Sequence, residues 1–185
     1  MESELLSALN VLKQPGVILT PTETVVGLSC SALSGDQISR IYQIKNRPST
    51  KAFIVLVDSV SMIKKFVEEI NELQKEYLNS KESTTVILSK IKGLPNNLIA
   101  EDNTLAFRIT QHPELKKLIT AFETPIVSTS ANLSGNPSPK TLEEVDQVIL
   151  DQVDYSLNLS SNHTVSSKPS RIVKILGDKV DIIRK

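Results

Sequence analysis

Leu5, Leu6, Leu9 and Leu12 recur at helical spacing, and Pro15-Gly16 ends that run. Residues 17–19 (Val-Ile-Leu) predict a short buried strand. It leads into Thr20, Pro21, Thr22, Glu23 and Thr24, after which Gly27 interrupts the chain. Asp36 is the expected N-cap of a helix whose buried face carries Ile38, Ile41, Tyr42 and Ile44, and Pro48 stops it. Residues 53–57 (FIVLV) are apolar without alternation, the mark of a strand covered on both faces. One or two helices with an acidic solvated face follow over 59–79, then a strand at 84–88. Residues 91–103 lack periodicity and contain turn formers, so they predict a loop.

A strand at 105–109 precedes a helix over 113–122, with Pro113 well suited to its first position. The strand at 125–127 runs into STSANLSGNPSPK, a stretch of small and turn-forming residues. Helix 141–150 is expected next, with Thr141 and Glu144 as a capping box. Strands at 153–157, 171–176 and 180–183 complete the pattern, the last two joined as a hairpin at Gly177-Asp178. About seven short strands interleaved with helices, some following one another directly, predict a mixed α/β sheet with helices on its faces. No repeat or low-complexity linker divides residues 1–185, which are expected to form a single domain.

Composition narrows the functional classes. Twenty-one basic and 21 acidic residues cancel, so no global field draws the protein to nucleic acid or a membrane. Charge is nonetheless segregated. Cations gather at 40–51 and at 168–185, and no acid lies between Asp36 and Asp58. Cys30 is the only cysteine, which excludes an internal disulfide and a cysteine zinc site. The acidic, amphipathic N-terminus is unlike a signal peptide, and no apolar run approaches the ~20 residues of a membrane span, so a cytoplasmic protein is expected.

His112 and His163 sit in no metal spacing and near no nucleophile elbow, and His112 is most simply a helix cap before Pro113. The segment 135–141 lacks the second glycine of a phosphate-binding P-loop, and its prolines remove N–H groups such a loop needs. What remains are four clusters at strand ends. They are Thr22-Glu23-Thr24; Lys45-Asn46-Arg47-Pro48 with Lys51; Thr104 with Arg108; and residues 128–135, STSANLSG. Each alone reads equally as a turn, a solvated helix end, half a salt bridge or a capping loop. Together they supply hydroxyls, amides and fixed cations without a nucleophile–base pair. That set suits binding a polyanion and a small zwitterion, with catalysis by positioning and charge neutralisation.

PTETVVGL, KNRPSTK, TLAFR, STSANLSGNPSP and KPSRIV, in that order, resemble the YrdC-type threonylcarbamoyl-AMP synthases in their short bacterial form. The resemblance covers about residues 3–185. It implies a twisted mixed sheet around a basic cavity and the formation of threonylcarbamoyl-AMP from L-threonine, bicarbonate or CO2, and ATP with Mg²⁺, releasing pyrophosphate for tRNA modification. By the same resemblance Thr24, Arg108, Ser130 and Ser170 hold threonine. Lys45 and Arg47 meet the ATP phosphates and carry the catalytic role, joined by Lys51, Thr104, Asn132 and Arg184; Lys140, where the family usually has a small residue, is expected to add a phosphate contact. No protein-bound metal is implied.

The chain departs from the family pattern at Val26, often tyrosine, at residues 81–85 (KESTT for the usual PGPxT), at Leu56 and at Arg171. A second reading is a non-catalytic module of the same fold that binds tRNA or double-stranded RNA through the cavity and the 168–185 cations. Low aromatic content, 4%, argues against base stacking there. A third, a domain from hydrogenase maturation, fits less well because no acylphosphatase or zinc-finger segment accompanies it.

Overall fold

The computed structural model describes residues 2–47, 53–159 and 169–185. In order, the elements are α1 (Glu2–Lys13), β1 (Ile18–Pro21), β2 (Val26–Ser31), α2 (Gly35–Ile44), β3 (Ile54–Val57), α3 (Val60–Ile63) and α4 (Glu72–Leu78). There follow β4 (Thr84–Ser89), β5 (Thr104–Ile109), α5 (Pro113–Phe122) and β6 (Ile126–Ser130). A 3₁₀ turn (Leu142–Glu144), α6 (Gln147–Leu150), β7 (Tyr155–Ser156), β8 (Arg171–Leu176) and β9 (Lys179–Arg184) complete the chain.

The described strands make one sheet of order β7-β1-β2-β6-β3-β5-β4-β8-β9. Its pairing is mixed: β3 runs parallel to β5 and β4 to β8, while β6 runs antiparallel to both of its neighbours, β2 and β3. Alternation in β4, β5 and β8 sends Val86, Leu88, Leu105, Phe107, Val173 and Ile175 into the core. The same alternation leaves Ile87, Ala106 and Ile172 half-exposed on the other face, which becomes the floor of the site. None of the helices among the described residues is long and apolar enough to cross a membrane.

The sheet has nine strands rather than about seven. The addition inside the opening motif is β2, where Gly27 seemed only to break the chain. Gly27 is instead a strand residue at a close approach: a Cβ there would lie 2.7 Å from Ser128 Oγ. The N-cap of α2 is Ser34, whose hydroxyl accepts from the Gln37 N–H, and Asp36 sits in the first turn beside the positive end of the helix. The expected helix 141–150 is broken. Val145 is extended, Thr141 makes no side-chain cap, and Asp146 starts α6 by accepting from the Val148 N–H. Glu144 does reach back, but to the N–H of Lys140 at 2.6 Å. His112 caps α5 through Nδ1, which accepts from the Leu115 N–H.

Candidate ligand-binding cavity

The turn between β1 and β2 is held by one side chain. Thr22 Oγ1 accepts from the N–H groups of Thr24 and Val25, donates to the Val25 carbonyl at 2.7 Å and lies 3.0 Å from Thr24 Oγ1. A threonine suits this position because its hydroxyl satisfies main-chain groups that a tight, buried turn would otherwise leave unpaired. The turn thereby presents Thr24 and Val25 to a cavity of about 260 Å³. Gly27, Ser128, Thr129 and Ser130 line it from the paired strands β2 and β6.

Across the cavity stands Arg108 on β5, 4% exposed. Its Nε lies 3.2 Å from Glu23 Oε1, off the hydrogen-bonding axis, and Nε is a buried donor without an acceptor. Burial alone would raise the Glu23 carboxyl. The Arg108 charge, with hydroxyl donors Ser83 at 2.9 Å and Thr110 at 3.0 Å, outweighs it and holds the carboxyl below its ordinary value. A guanidinium this deep in a protein is tolerated only beside an anion, and it retains donors for a second one.

The third wall comes from β8, β9 and the residues before them. Ser170 Oγ lies 2.9 Å from Thr85 Oγ1, and Arg184 donates to the Ser170 carbonyl and hydroxyl. Burial and the neighbouring Arg108 both depress the Arg184 pKa, although a guanidinium stays charged. Arg47 completes the set, its guanidinium 5.3 Å above the Phe53 ring, which stacks on Tyr42. Arg47, Arg108 and Arg184 thus bring three cations to one small cavity.

Lys45 lies beneath this arrangement rather than in the cavity wall, 1% exposed. Its ammonium donates to the carbonyl oxygens of Ser130 and Asn132, and the Ser134 N–H returns to the Lys45 carbonyl. Desolvation, and then Arg47, push the Lys45 ammonium down to about 8. Asn132 accepts from Ser130 Oγ at 2.5 Å and donates to the carbonyls of Leu133 and Asn136. The STSAN strand end is therefore fixed from below by a buried cation and from within by an amide.

Of the residues singled out from sequence, Thr24, Arg47, Arg108, Ser130, Ser170 and Arg184 meet at the cavity. Thr104 does not reach it. It shares the Arg108 face of β5, about 13 Å along the strand, and donates to Asp102 at 2.6 Å. Asn132 lines an adjoining pocket of about 290 Å³ that shares Ser138 with the first. Lys140 is exposed, and Lys51 lies outside the described residues. Sequence reasoning passed over Phe53 as a cavity residue and the bond between Ser83 and Glu23, whereas Ser128 stood in the STSANLSG cluster and Thr85 in KESTT. Contacts such as these cross the fold and leave no local signal.

The departures are also placed. Val26 is 1% exposed, on the face of β2 opposite Gly27. In KESTT, Ser83 binds Glu23 and Thr85 binds Ser170. Arg171 leans away over Tyr77 and pairs with Glu82. Lys174 and Lys179 pair with Asp102 and Asp181, so the late cations are interrupted by acids instead of forming a continuous basic stripe. Among the described residues no group of acids, histidines and cysteines could hold a metal ion.

Three guanidinium groups and several hydroxyls thus line one cavity on a mixed α/β sheet, a set of charges and donors suited to an anion. Residues 10–185 match the Sua5/YciO/YrdC family profile, described as telomere recombination, and the chain belongs to that family. It is 31% identical to a threonylcarbamoyl-AMP synthase of Pseudoalteromonas translucida, each chain being covered to 97%. The structure of P. abyssi Sua5 complexed with L-threonine superposes with a TM-score of 0.85 at 25% identity, covering 100% of this chain and 54% of that one. Full-length HypF in a phosphate- and nucleotide-bound form superposes with a TM-score of 0.85 at 25% identity, over 98% of this chain and 28% of HypF. The present chain thus spans about half of the Sua5 chain and a smaller part of HypF.

Proposed function

We propose that this protein makes threonylcarbamoyl-AMP from L-threonine, bicarbonate or CO2, and ATP. The observation that carries the reading is Arg108, a buried guanidinium beside one carboxylate that lines a hydroxyl-rich cavity and donates to no described residue. A ligand carboxylate supplies the missing acceptor in the bidentate form that arginine favours. Thr24, Ser130 and Ser170 stand around it as partners for the amine and hydroxyl of threonine.

The cavity, about 260 Å³, is smaller than the ~300–1,000 Å³ that encloses a drug-sized ligand. It therefore houses the amino acid, and the nucleotide extends outside it. The half-exposed Ile87, Ala106 and Ile172 floor leads from Arg108 toward Thr104, and Asn132 and Lys140 flank the adjoining pocket. Arg47 and Arg184 line the same cavity and are the cations this reading assigns to the phosphates of ATP, bound as its magnesium complex. Lys51 completes the phosphate set in this reading, and Lys45 supports it from beneath by holding the Ser130 and Asn132 carbonyls.

The threonine amine takes up CO2 and loses a proton, giving a carbamate. A carbamate oxygen then bonds to the α-phosphorus as the bond from that phosphorus to the bridging oxygen breaks, and pyrophosphate leaves with the electron pair. Charge growing on the phosphoryl oxygens and the leaving group is what the cations stabilise. No covalent enzyme intermediate is required. The adenylate then serves threonylcarbamoylation of tRNA by a separate transferase.

Pyrophosphate release from labelled ATP tests the reading: it should require both threonine and bicarbonate. Release without threonine, or none with all three present, counts against it. Arg108→Ala should weaken threonine binding by ~2–4 kcal/mol and ATP binding far less, because it strips a paired charge from a desolvated site.

A further inference from the structure

Glu23 lies behind the cavity wall, its side chain 13% exposed, and touches the ligand region only through Arg108. Three side chains converge on its carboxylate. Ser83, in the turn before β4, donates to Oε1 at 2.9 Å; Thr110, just after β5, donates to Oε2 at 3.0 Å; and Arg108 lies 3.2 Å from Oε1. Thr110 is itself fixed, its hydroxyl accepting from the His112 N–H at 3.2 Å at the start of α5. Both carboxylate oxygens are therefore located by hydroxyls, independently of the arginine.

The contact made to Arg108 matters as much as its presence. A carboxylate that took both terminal nitrogens in a fork would saturate the guanidinium and compete with any ligand. Glu23 addresses the Nε side instead, and Arg108 donates no hydrogen bond to any described residue. The charge is offset at the Nε edge by an ion pair without a hydrogen bond, and the terminal nitrogens donate to no described residue.

We infer that Glu23 is a positioning residue, which Ser83 and Thr110 hold so that Arg108 presents its terminal nitrogens to the carboxylate of an amino-acid substrate. The inference rests on the amino-acid reading of the cavity. It goes beyond that reading by assigning the specificity of the arginine to a residue that never meets substrate. Selectivity for a free carboxylate arises because the arginine is neutralised on one side only.

Calorimetric titration with L-threonine and, separately, with magnesium ATP tests this on wild type, Glu23→Gln, Glu23→Asp and Ser83→Ala, with circular dichroism melts alongside. Folded Glu23→Gln should bind threonine about tenfold more weakly, while ATP affinity changes by less than about threefold. Glu23→Asp, which keeps the charge, should recover part of the loss. Ser83→Ala should cost about threefold for threonine alone and add nothing in the Glu23→Gln background.

Threonine affinity unchanged in Glu23→Gln overturns the inference, and so does equal loss of both ligands in a folded variant, which marks a merely structural pair. If Glu23→Gln does not fold, the partly exposed Ser83 decides: unaltered threonine binding in Ser83→Ala is then the overturning result. Wild-type protein that binds no threonine removes the amino-acid reading and this inference with it. Wild-type binding without a Glu23 or Ser83 effect removes only the inference.

Discussion

Arg184 clasps Ser170 twice, through Nε to the carbonyl oxygen at 3.0 Å and through a terminal nitrogen to the hydroxyl at 3.2 Å. Fixed fork geometry is what allows one side chain to hold both groups. Arg184→Ala should therefore release Ser170 as well as remove a cation. A loss of ~1.5–3 kcal/mol in kcat/KM for ATP is expected, with threonine binding also weakened. Arg184→Lys, which keeps charge but loses the fork, should rescue little. Full rescue in steady-state kinetics would mean that charge alone matters.

Lys45 predicts opposite pH trends for stability and binding. Its folded pKa, about 8, lies below the 10.5 of an ordinary lysine. Between those values the unfolded chain holds the proton and the folded one has lost it, so stability of the ligand-free protein gains from this group as pH rises. The ammonium holds the Ser130 and Asn132 carbonyls beneath the cavity, so binding of magnesium ATP should fall as pH rises through about 8. Titration of magnesium ATP between neutral and alkaline pH should show that limb, and Lys45→Arg should flatten it. An unchanged limb in Lys45→Arg would assign the titration to another group.

Gly27 opposes Ser130 in the pairing of β2 with β6, and a methyl group there would press on Ser128 Oγ at 2.7 Å. Gly27→Ala is expected to destabilise by ~1–3 kcal/mol, as overpacking does, and to raise the KM for threonine because β6 carries Ser130. Thermal melting with parallel kinetics checks both. A fully stable variant with wild-type KM would show that Ser128 moves aside freely.

Far from the cavity, Asp154 accepts from the Val17 N–H at 2.7 Å and from Arg40 at 2.5 and 3.1 Å, joining α2 to the β1 edge. Burial raises its pKa, but the Arg40 and Val17 bonds outweigh that and keep it low. A carboxyl lower in the folded state gives stability that is complete above the unfolded value, near 3.8, and lost as pH falls through the folded one. Asp154→Ala should cost ~1–2 kcal/mol in urea denaturation at neutral pH and leave threonine affinity intact. A change in affinity would reveal coupling from this edge to the site.

The hydrophobic pattern marks β3, β5, α2 and α5 because each carries an apolar face of the right period. It hides β2, where small polar residues occupy the second face and Gly27 mimics a break. Thr141 and Glu144 imitate a capping box that Asp146 overrides one turn later, whereas the real box, Asn71 with Gln74 on α4, lies in a segment read only as acidic helix. The cations and hydroxyls of the cavity could be picked out by type. Their division of labour could not. Lys45 against the Asn132 carbonyl, and Glu23 against Ser83, join residues 87 and 60 positions apart in the chain. Only the folded sheet decides whether a given lysine faces solvent, substrate or main chain.

The parallel pairing of β4 with β8 joins Thr84 to Arg171 and delivers Ser170 and Arg184 to a cavity begun by Thr22 and Thr24. A chain emerging from the ribosome must extend through residue 184 before that wall exists. Loop closure over such separations is slow compared with helix formation. A chain that ends before β9 contains Arg108 and Glu23 but lacks the β9 side of the pocket. The order of synthesis thus sets when chemistry becomes possible, and a nascent chain stalled before β9 is expected to be inert.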